Sequence, residues 1–525
     1  MSKLLLLIVV CISLSLSHSF QIIGHHCNSN PKNDLSLCYK RWRHGQGALG
    51  HRMSNPSGQG QACKSTETSI GRILLRACAN VCMIARITTF KLACLCSRVV
   101  LEVLDVLLYM MQGVKRLCAR WGTSKRARKS VCIIGGSFGG LSCARNLMDD
   151  FNVTVIDQRD FFEYTPGVLQ LLVKPSMFKD LCFPLSLLEG VNFCHGTAVD
   201  VHDGSVDFLP HGSGEAQRVK FDFLILACGS NYSEGIKPDP REFGMQQREE
   251  GWRARAEEVA KASSVLVVGG GPVGVELAAE IVEKFPSKSV TLVDAHQSLC
   301  ETFASSSSKR YMLEWLTRRN VRVLLGHRCI PQGSDGAVRT FLVGEETVRA
   351  DRVYWCLGGR PMTGFLKDSK MRFTLKDDGS ILVSDHLLVY NKSNIFAVGD
   401  AISIDGLPDE KLGHTAEIQA KLVCNNIRSS LTGSRMHHYI PSLESRMYCL
   451  SLGKYSGSVR LGHFTLNGFV AALLKWGIEW TKVAQARGRP VGRVLWRLSD
   501  ALTSRTVDHH KTRPPPPSHT SMRIR

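Results

Sequence analysis

Two glycine-rich runs carry the chemistry most specific in kind. Gly135-Gly136-Ser137-Phe138-Gly139-Gly140 follows the short apolar run Val131-Cys132-Ile133-Ile134, and Gly269-Gly270-Gly271-Pro272-Val273-Gly274 follows Val265-Leu266-Val267-Val268. A strand that turns on glycines directly into a helix offers backbone N–H groups and the positive helix end to an anion, which is what a dinucleotide pyrophosphate needs. Each run is completed by an acid at the end of the next apolar strand. Asp157 follows Val153-Thr154-Val155-Ile156, about 22 residues after Gly135, and Asp294 follows Val290–Val293, about 25 after Gly269, the distance at which a carboxylate meets the adenosine ribose.

The two runs are not equivalent. The second satisfies G-x-G-x-x-G with Gly269, Gly271 and Gly274, whereas the first has Ser137 at the middle glycine, with Gly135 and Gly140 at the outer positions and Gly136 keeping the turn flexible. A carboxylate at Asp294 accepts from ribose hydroxyls and repels a 2′-phosphate, so NADH is expected at the second site, with NADPH as the alternative.

Strand, glycine turn, helix and strand therefore occur twice, about 134 residues apart, and the fold class is α/β with two Rossmann-like dinucleotide-binding domains. Three later segments have matching patterns. Phe221–Ser230 is a strand closing on Cys228-Gly229, Val353–Pro361 is a strand closing on Gly358-Gly359, and Asn394-Ile395-Phe396-Ala397-Val398-Gly399-Asp400-Ala401 is a strand that ends on an acid.

With these segments the chain resembles glutathione-reductase-type flavoproteins of the FAD-dependent pyridine nucleotide-disulfide oxidoreductase superfamily, over about residues 130–492. The resemblance implies FAD on the first motif and NAD(P)H on the second. It gives FAD-binding roles to Gly135, Gly136, Ser137, Gly140, Asp157, Cys228 (where Thr is usual), Gly229, Gly399, Asp400 and Thr415, with Asp400 on the flavin ribityl chain. On the NAD side it gives Gly269, Gly271, Gly274, Asp294 and Gly359. Glu276 has two readings, a helix N-terminal acid favoured by the macrodipole or a polar group facing the nicotinamide.

Disulfide reductases of this superfamily carry C-x4-C after the first motif or C-x-x-C in the NAD domain, and this sequence has neither. Asp160-Phe161-Phe162-Glu163-Tyr164-Thr165-Pro166-Gly167 and Lys411-Leu412-Gly413-His414-Thr415-Ala416-Glu417-Ile418-Gln419-Ala420 resemble instead the branch of type II NADH dehydrogenases and apoptosis-inducing-factor-like, ferroptosis-suppressor-like proteins. That branch implies an NAD(P)H:quinone oxidoreductase, with His414 and Glu417 beside the flavin ring. The A-Q-x-A-x-Q quinone pattern is only partly met, Glu417 standing where Gln is usual. The competing reading is an NAD(H)-gated, apoptosis-inducing-factor-like flavoprotein that acts through partner or DNA binding.

The implied plan is a discontinuous FAD-binding domain (130–250 and 366–435), an inserted NAD(H)-binding domain (251–365), a C-terminal cap (436–510) and a disordered proline-rich tail (511–525). In the cap, Leu466–Ala484 reads as a helix with a broad apolar face. The formal charge is +20, but about +15 of it lies in residues 1–130, so no nucleic-acid partner is expected for the body. About nine of the 19 cysteines also precede Ser130 without zinc or disulfide spacing, and no metal is expected.

Residues 1–19 read as a signal peptide, and 20–129 as a basic, transit-like leader or an ordinary linker, with one or two amphipathic helices suited to peripheral membrane association or to packing against the body. That pairing points to an organelle, a complex plastid being one candidate, with a cytoplasmic or mitochondrial membrane surface as the alternative.

Overall fold

The computed structural model describes residues 84–111 and 128–496, except residue 86 and short internal segments at 233–234, 240–241, 303, 336–337, 408, 442–446 and 462–463. The signal peptide, most of the leader and the proline-rich tail lie outside the described residues. The described residues from Val99 onward form one compact unit.

Helix α1 spans residues 87–111. The chain then enters strand β1 (Ser130–Ile134), helix α2 (Phe138–Leu147) and strand β2 (Asn152–Asp157). Strands β3 (Asn192–His202), β4 (Ser205–Pro210), β5 (Gln217–Lys220) and β6 (Phe223–Leu226) follow, and then helix α3 (Met245–Lys261). A second unit of the same kind comprises β7 (Ser264–Val268), α4 (Pro272–Lys284), β8 (Ser289–Asp294), α5 (Ser306–Thr317), β9 (Arg322–Leu325) and β10 (Arg352–Trp355). The chain returns through β11 (Ile395–Ala397) and helix α6 (Gly413–Thr432). It ends in β12 (Met447–Ser451), β13 (Gly457–Leu461), β14 (Phe464–Asn467) and helix α7 (Phe469–Ala486).

The first sheet has the order β11-β6-β1-β2-β3-β4-β5, and β11, β6, β1, β2 and β3 are parallel neighbours. Its strands read as continuous apolar runs because both faces are covered: Cys132, Ile133, Leu224, Ile225 and Phe396 are wholly buried. The second sheet, β9-β8-β7-β10, is parallel throughout. In each, the glycine turn leaves the central strand where the connections diverge to opposite sides, the crevice at which open α/β sheets bind ligands.

Two expected boundaries shift. The boundary at 250/251 falls inside α3, because the first turns of that helix are fastened to the preceding region. Met245 N donates to Asp160 Oδ1 (2.9 Å) and Trp252 Nε1 to Glu163 Oε1 (2.9 Å). The cap helix begins at Phe469 rather than Leu466, since Leu466 and Asn467 pair with β13 and Gly468, at φ +97°, makes the corner.

Candidate functional site

The register of the first sheet brings the carboxyl ends of β1, β2, β6 and β11 together. Gly135 leaves β1 at φ +107°, a backbone state that glycine adopts without a Cβ penalty. A Cβ on Gly135 would stand 2.2 Å from the Ala227 carbonyl oxygen, and one on Gly140 would stand 1.8 Å from that of Gly135. The turn is therefore as tight as pyrophosphate recognition requires. Asp157 shapes it from the neighbouring strand: its Oδ2 accepts from Gly136 N (2.6 Å) and its Oδ1 from Arg159 N (2.9 Å). Ser137 is the exposed residue that caps α2, so replacing the middle glycine puts a small side chain at the rim and leaves the turn closed.

The opposite wall is the first turn of α6. Phe138 packs against Gly413, and Ala416 lies behind both Gly139 and Gly399. Two helix N-termini, α2 and α6, thus approach one crevice, and their positive ends suit a dianionic pyrophosphate. Gly399 turns at φ +82° and donates its N–H to the buried Gln419 Oε1 (2.7 Å). The following residue, Asp400, accepts from Ser230 Oγ (2.7 Å) and Lys237 Nζ (3.0 Å). Burial pushes the Asp400 carboxyl up, but Lys237 and Ser230 outweigh it and hold it below the ordinary range, so it is an anion. Cys228 belongs to the same crevice, and burial pushes its thiol up to about 12. The cradle fits FAD.

The second cradle repeats this construction. Gly269 turns at φ +114° against the Cys356 carbonyl, and a Cβ on Gly274 would stand 1.8 Å from the Gly269 oxygen. Gly271 faces open space on the side where a pyrophosphate would approach. Asp294, at the end of β8, accepts from Gly270 N through Oδ2, and from His296 N (2.8 Å) through Oδ1, which also faces His296 Nδ1 at 2.8 Å. Gly359 joins the two cradles: the following Arg360–Pro361 pair with Ser230–Asn231, and a Cβ on Gly359 would meet Ser230 Oγ at 3.0 Å.

The three side chains expected near the reacting rings, Glu276 at the nicotinamide and His414 and Glu417 at the flavin, are placed differently from one another. Glu276 is buried on α4, where its Oε1 accepts from Ser451 N (2.7 Å), Ser451 Oγ (3.0 Å) and Lys475 Nζ. The first turn of α4 holds no acid, so Glu276 is not the helix N-terminal acid of the first reading but the buried partner of an ion pair to the cap. Glu417 pairs with Lys482. His414 and Thr415 lie half-buried in the first turn of α6.

The sequence reading missed the cap lysines. Helix α7 turns Lys475 and Lys482 inward while Leu473, Trp476, Ile478 and Trp480 stay only half-buried. The signal was available: two lysines seven residues apart share one face of an otherwise apolar helix. Around Lys475 lies a buried acidic group. Glu479 accepts from Gln170 Nε2 (2.9 Å), and burial pushes its carboxyl up. Burial, with Glu283 nearby, pushes Glu280 up to about 8. Burial opposes the charge on Lys475, but Glu276 more than compensates and the ammonium is retained.

Comparison with known proteins agrees with this geometry. Residues 129–420 match the family model described as pyridine nucleotide-disulphide oxidoreductase. Ferroptosis suppressor protein 1 of Xenopus laevis is 29% identical over 352 residues, covering 65% of this chain and 89% of that protein. Apoptosis-inducing factor homolog A of Dictyostelium discoideum is 25% identical over 375 residues, covering 66% and 89%. Among solved structures, NDH2 of Plasmodium falciparum in complex with NADH superposes with TM-score 0.57 at 15% identity, covering 69% of this chain and 97% of that one. The sulfide:quinone oxidoreductase of Aquifex aeolicus gives 0.57 at 19% identity, covering 69% and 92%. These two show the shared fold. The chain belongs to the pyridine nucleotide-disulphide oxidoreductase family and is an FAD-dependent enzyme that oxidises a nicotinamide dinucleotide.

Proposed function

We propose that this chain passes electrons from NADH to a quinone at a membrane surface. The observation that carries the reading is the cap helix α7, whose lysines face the glutamates of α4 and α6 and whose Leu473, Trp476 and Trp480, on the other side of the helix, leave a half-buried apolar surface. Thiol relay chemistry has little support, since no C-x-x-C occurs and the described cysteines near the first motif, Cys132 and Cys143, are buried with their thiols pushed up.

When bound, FAD supplies hydride acceptance and electron transfer. The protein's own residues then have three tasks. Asp157, accepting from Gly136 N, and Asp294, accepting from Gly270 N, hold the two glycine turns closed, so that the helix N-termini behind them would meet the pyrophosphates. Asp400, fixed by Ser230 and Lys237, positions a ribityl hydroxyl. Reducing a quinone to a quinol consumes two electrons and two protons, one more proton than a hydride brings. Glu280 carries a proton at neutral pH within the same buried group as Glu276.

Membrane contact is assigned to α1. Val99, Val103, Val106 and Met110 recur at helical spacing and are each more than half exposed, while Glu102 pairs with Arg489 Nη1 (2.7 Å) and Asp105 accepts from Val491 N (2.8 Å). The polar face is thus tied down and the apolar face is left outward, as suits a helix lying in a bilayer interface. Among the described residues no helix is long and apolar enough to cross a membrane.

The test uses the purified full-length chain, which should be yellow, oxidise NADH continuously with a short-chain quinone and sediment with anionic vesicles. Val103→Lys with Val106→Lys should abolish sedimentation and leave turnover with soluble quinone unchanged. Flavin that is reduced by NADH without quinone turnover overturns the acceptor, and sedimentation unchanged by the two lysines overturns the membrane face.

A further inference from the structure

The loop after the strand Ile381–Val383 and the segment that follows α6 bring the neighbours Asp385 and His386 together with the sequence-distant His438, outside both cradles. Their potential metal-ligating atoms all lie within 4.8 Å of one another. His438 Nδ1 stands 2.7 Å from Asp385 Oδ2, and His386 Nε2 stands 3.9 Å from Asp385 Oδ1. A tetrahedral zinc site with ligand bonds near 2.0–2.2 Å needs its donors about 3.3 Å apart, between those two separations.

The supporting contacts fix these side chains in a ligating arrangement. His386 Nδ1 lies 3.0 Å from the His437 carbonyl oxygen, which selects the tautomer that donates from Nδ1 and leaves the Nε2 lone pair toward Asp385. A ring nitrogen held by a backbone carbonyl is the usual second contact of a metal-bound histidine. The imidazoles of His386 and His438 lie with centroids 4.3 Å apart.

Both backbone segments are clamped by one wholly buried side chain, Asn426 of α6. It donates from Nδ2 to the His386 and His437 carbonyls (3.0 Å each) and accepts from His437 N (2.7 Å). Leu387, beside His386, is held at φ +59°, a conformation a branched side chain rarely adopts. Strain of this kind persists where the surrounding structure over-determines it.

We propose that Asp385, His386 and His438 form a binding site for a divalent transition metal of the zinc type, which ties the segment leaving α6 to the loop after Ile381–Val383. The ion takes one carboxylate oxygen of Asp385, Nε2 of His386 and Nδ1 of His438, and water completes the shell. On binding, the His438 proton moves from Nδ1 to Nε2, so the ring stays neutral and the proton count is unchanged. The site joins the flavin cradle through hydrogen bonds. Tyr439, next in the chain, donates to Asp409 Oδ2 (3.0 Å), which also accepts from Gln419 Nε2 (2.6 Å), the residue that holds Gly399.

The test compares the full-length flavin-loaded protein with a His386→Ala/His438→Ala double variant after chelator treatment and dialysis. Calorimetric titration with Zn2+ should show one equivalent fewer in the double variant, and Asp385→Asn should weaken that equivalent at least tenfold. Co2+ should give the visible bands of a nitrogen and oxygen shell without a thiolate charge-transfer band, and the double variant should lose them. Equal stoichiometry in wild type and variant, or cobalt bands dominated by thiolate, overturns the proposal. Should the double variant lose its flavin, the Asp385→Asn variant, at a half-buried position, decides alone, and unchanged affinity in it overturns the site.

Discussion

At the scale of single residues, two acids occupy equivalent positions and share a first duty, holding the glycine turn closed. Each accepts from a turn glycine and from the N–H two residues on, and Asp294, the acid of the cradle assigned to NADH, also faces the His296 ring at 2.8 Å. Asp294→Ala should raise KM for NADH by about tenfold or more, the worth of a charge-assisted hydrogen bond, and raise that for NADPH by much less. Equal losses, measured by steady-state kinetics with both dinucleotides, would show that the turn and not the ribose decides. Glu280 gives a pH signature. Its carboxyl is pushed from the ordinary 4.5 to about 8 by burial, so the folded state binds this proton more tightly than the unfolded chain does. Its contribution to stability is intact below the ordinary glutamate range and is lost as pH rises toward about 8. Stability should therefore fall between about pH 4.5 and 8, by up to about 1 kcal/mol per pH unit, and Glu280→Gln should flatten that slope in denaturant titrations.

At the scale of elements, each strand–turn–helix unit depends on one close approach of backbone to backbone. In the second unit a methyl group on Gly274 has no room, because it would stand 1.8 Å from the Gly269 oxygen while α4 packs on a strand whose Leu266 and Val267 are wholly buried. Gly274→Ala should push α4 off β7 and reduce NADH-dependent flavin reduction by about a hundredfold, the effect of about 3 kcal/mol of strain. The FAD content should stay full, since the first cradle is built from β1, β2, β6 and β11. Absorbance of the purified variant and stopped-flow reduction check both halves. These units were legible from sequence because their cause is local: a short apolar run, glycines at fixed offsets and an acid at the next strand end. The observed β1, β2, β7 and β8 lie within one residue of the expected strands, apart from the acids they include.

At the scale of the whole molecule, the cap is fastened to both cradles by buried ion pairs, Lys475 to Glu276 and Lys482 to Glu417. Breaking a buried pair from one side leaves a charge without its partner, so Lys475→Met should cost about 3–5 kcal/mol. Adding Glu276→Gln should recover part of that loss, and additive effects in the double-mutant cycle would show that the two do not interact. The same pairs explain why α7 lies with its lysines inward, against the pattern of an apolar helix that buries its apolar face.

By itself, the sequence determined the two nucleotide units, their order and the acids that complete them, because strand periodicity and glycine turns are short-range consequences of backbone sterics. It carried no spacing rule for contacts across hundreds of residues. That Ser230 and Lys237 hold Asp400, that Lys475 neutralises Glu276, and that Asp385 and His386 meet His438 were decided by the tertiary structure alone. Such pairs form only when the packing of sheets and helices brings distant segments together, and the burial this creates is what gives the charges their strength.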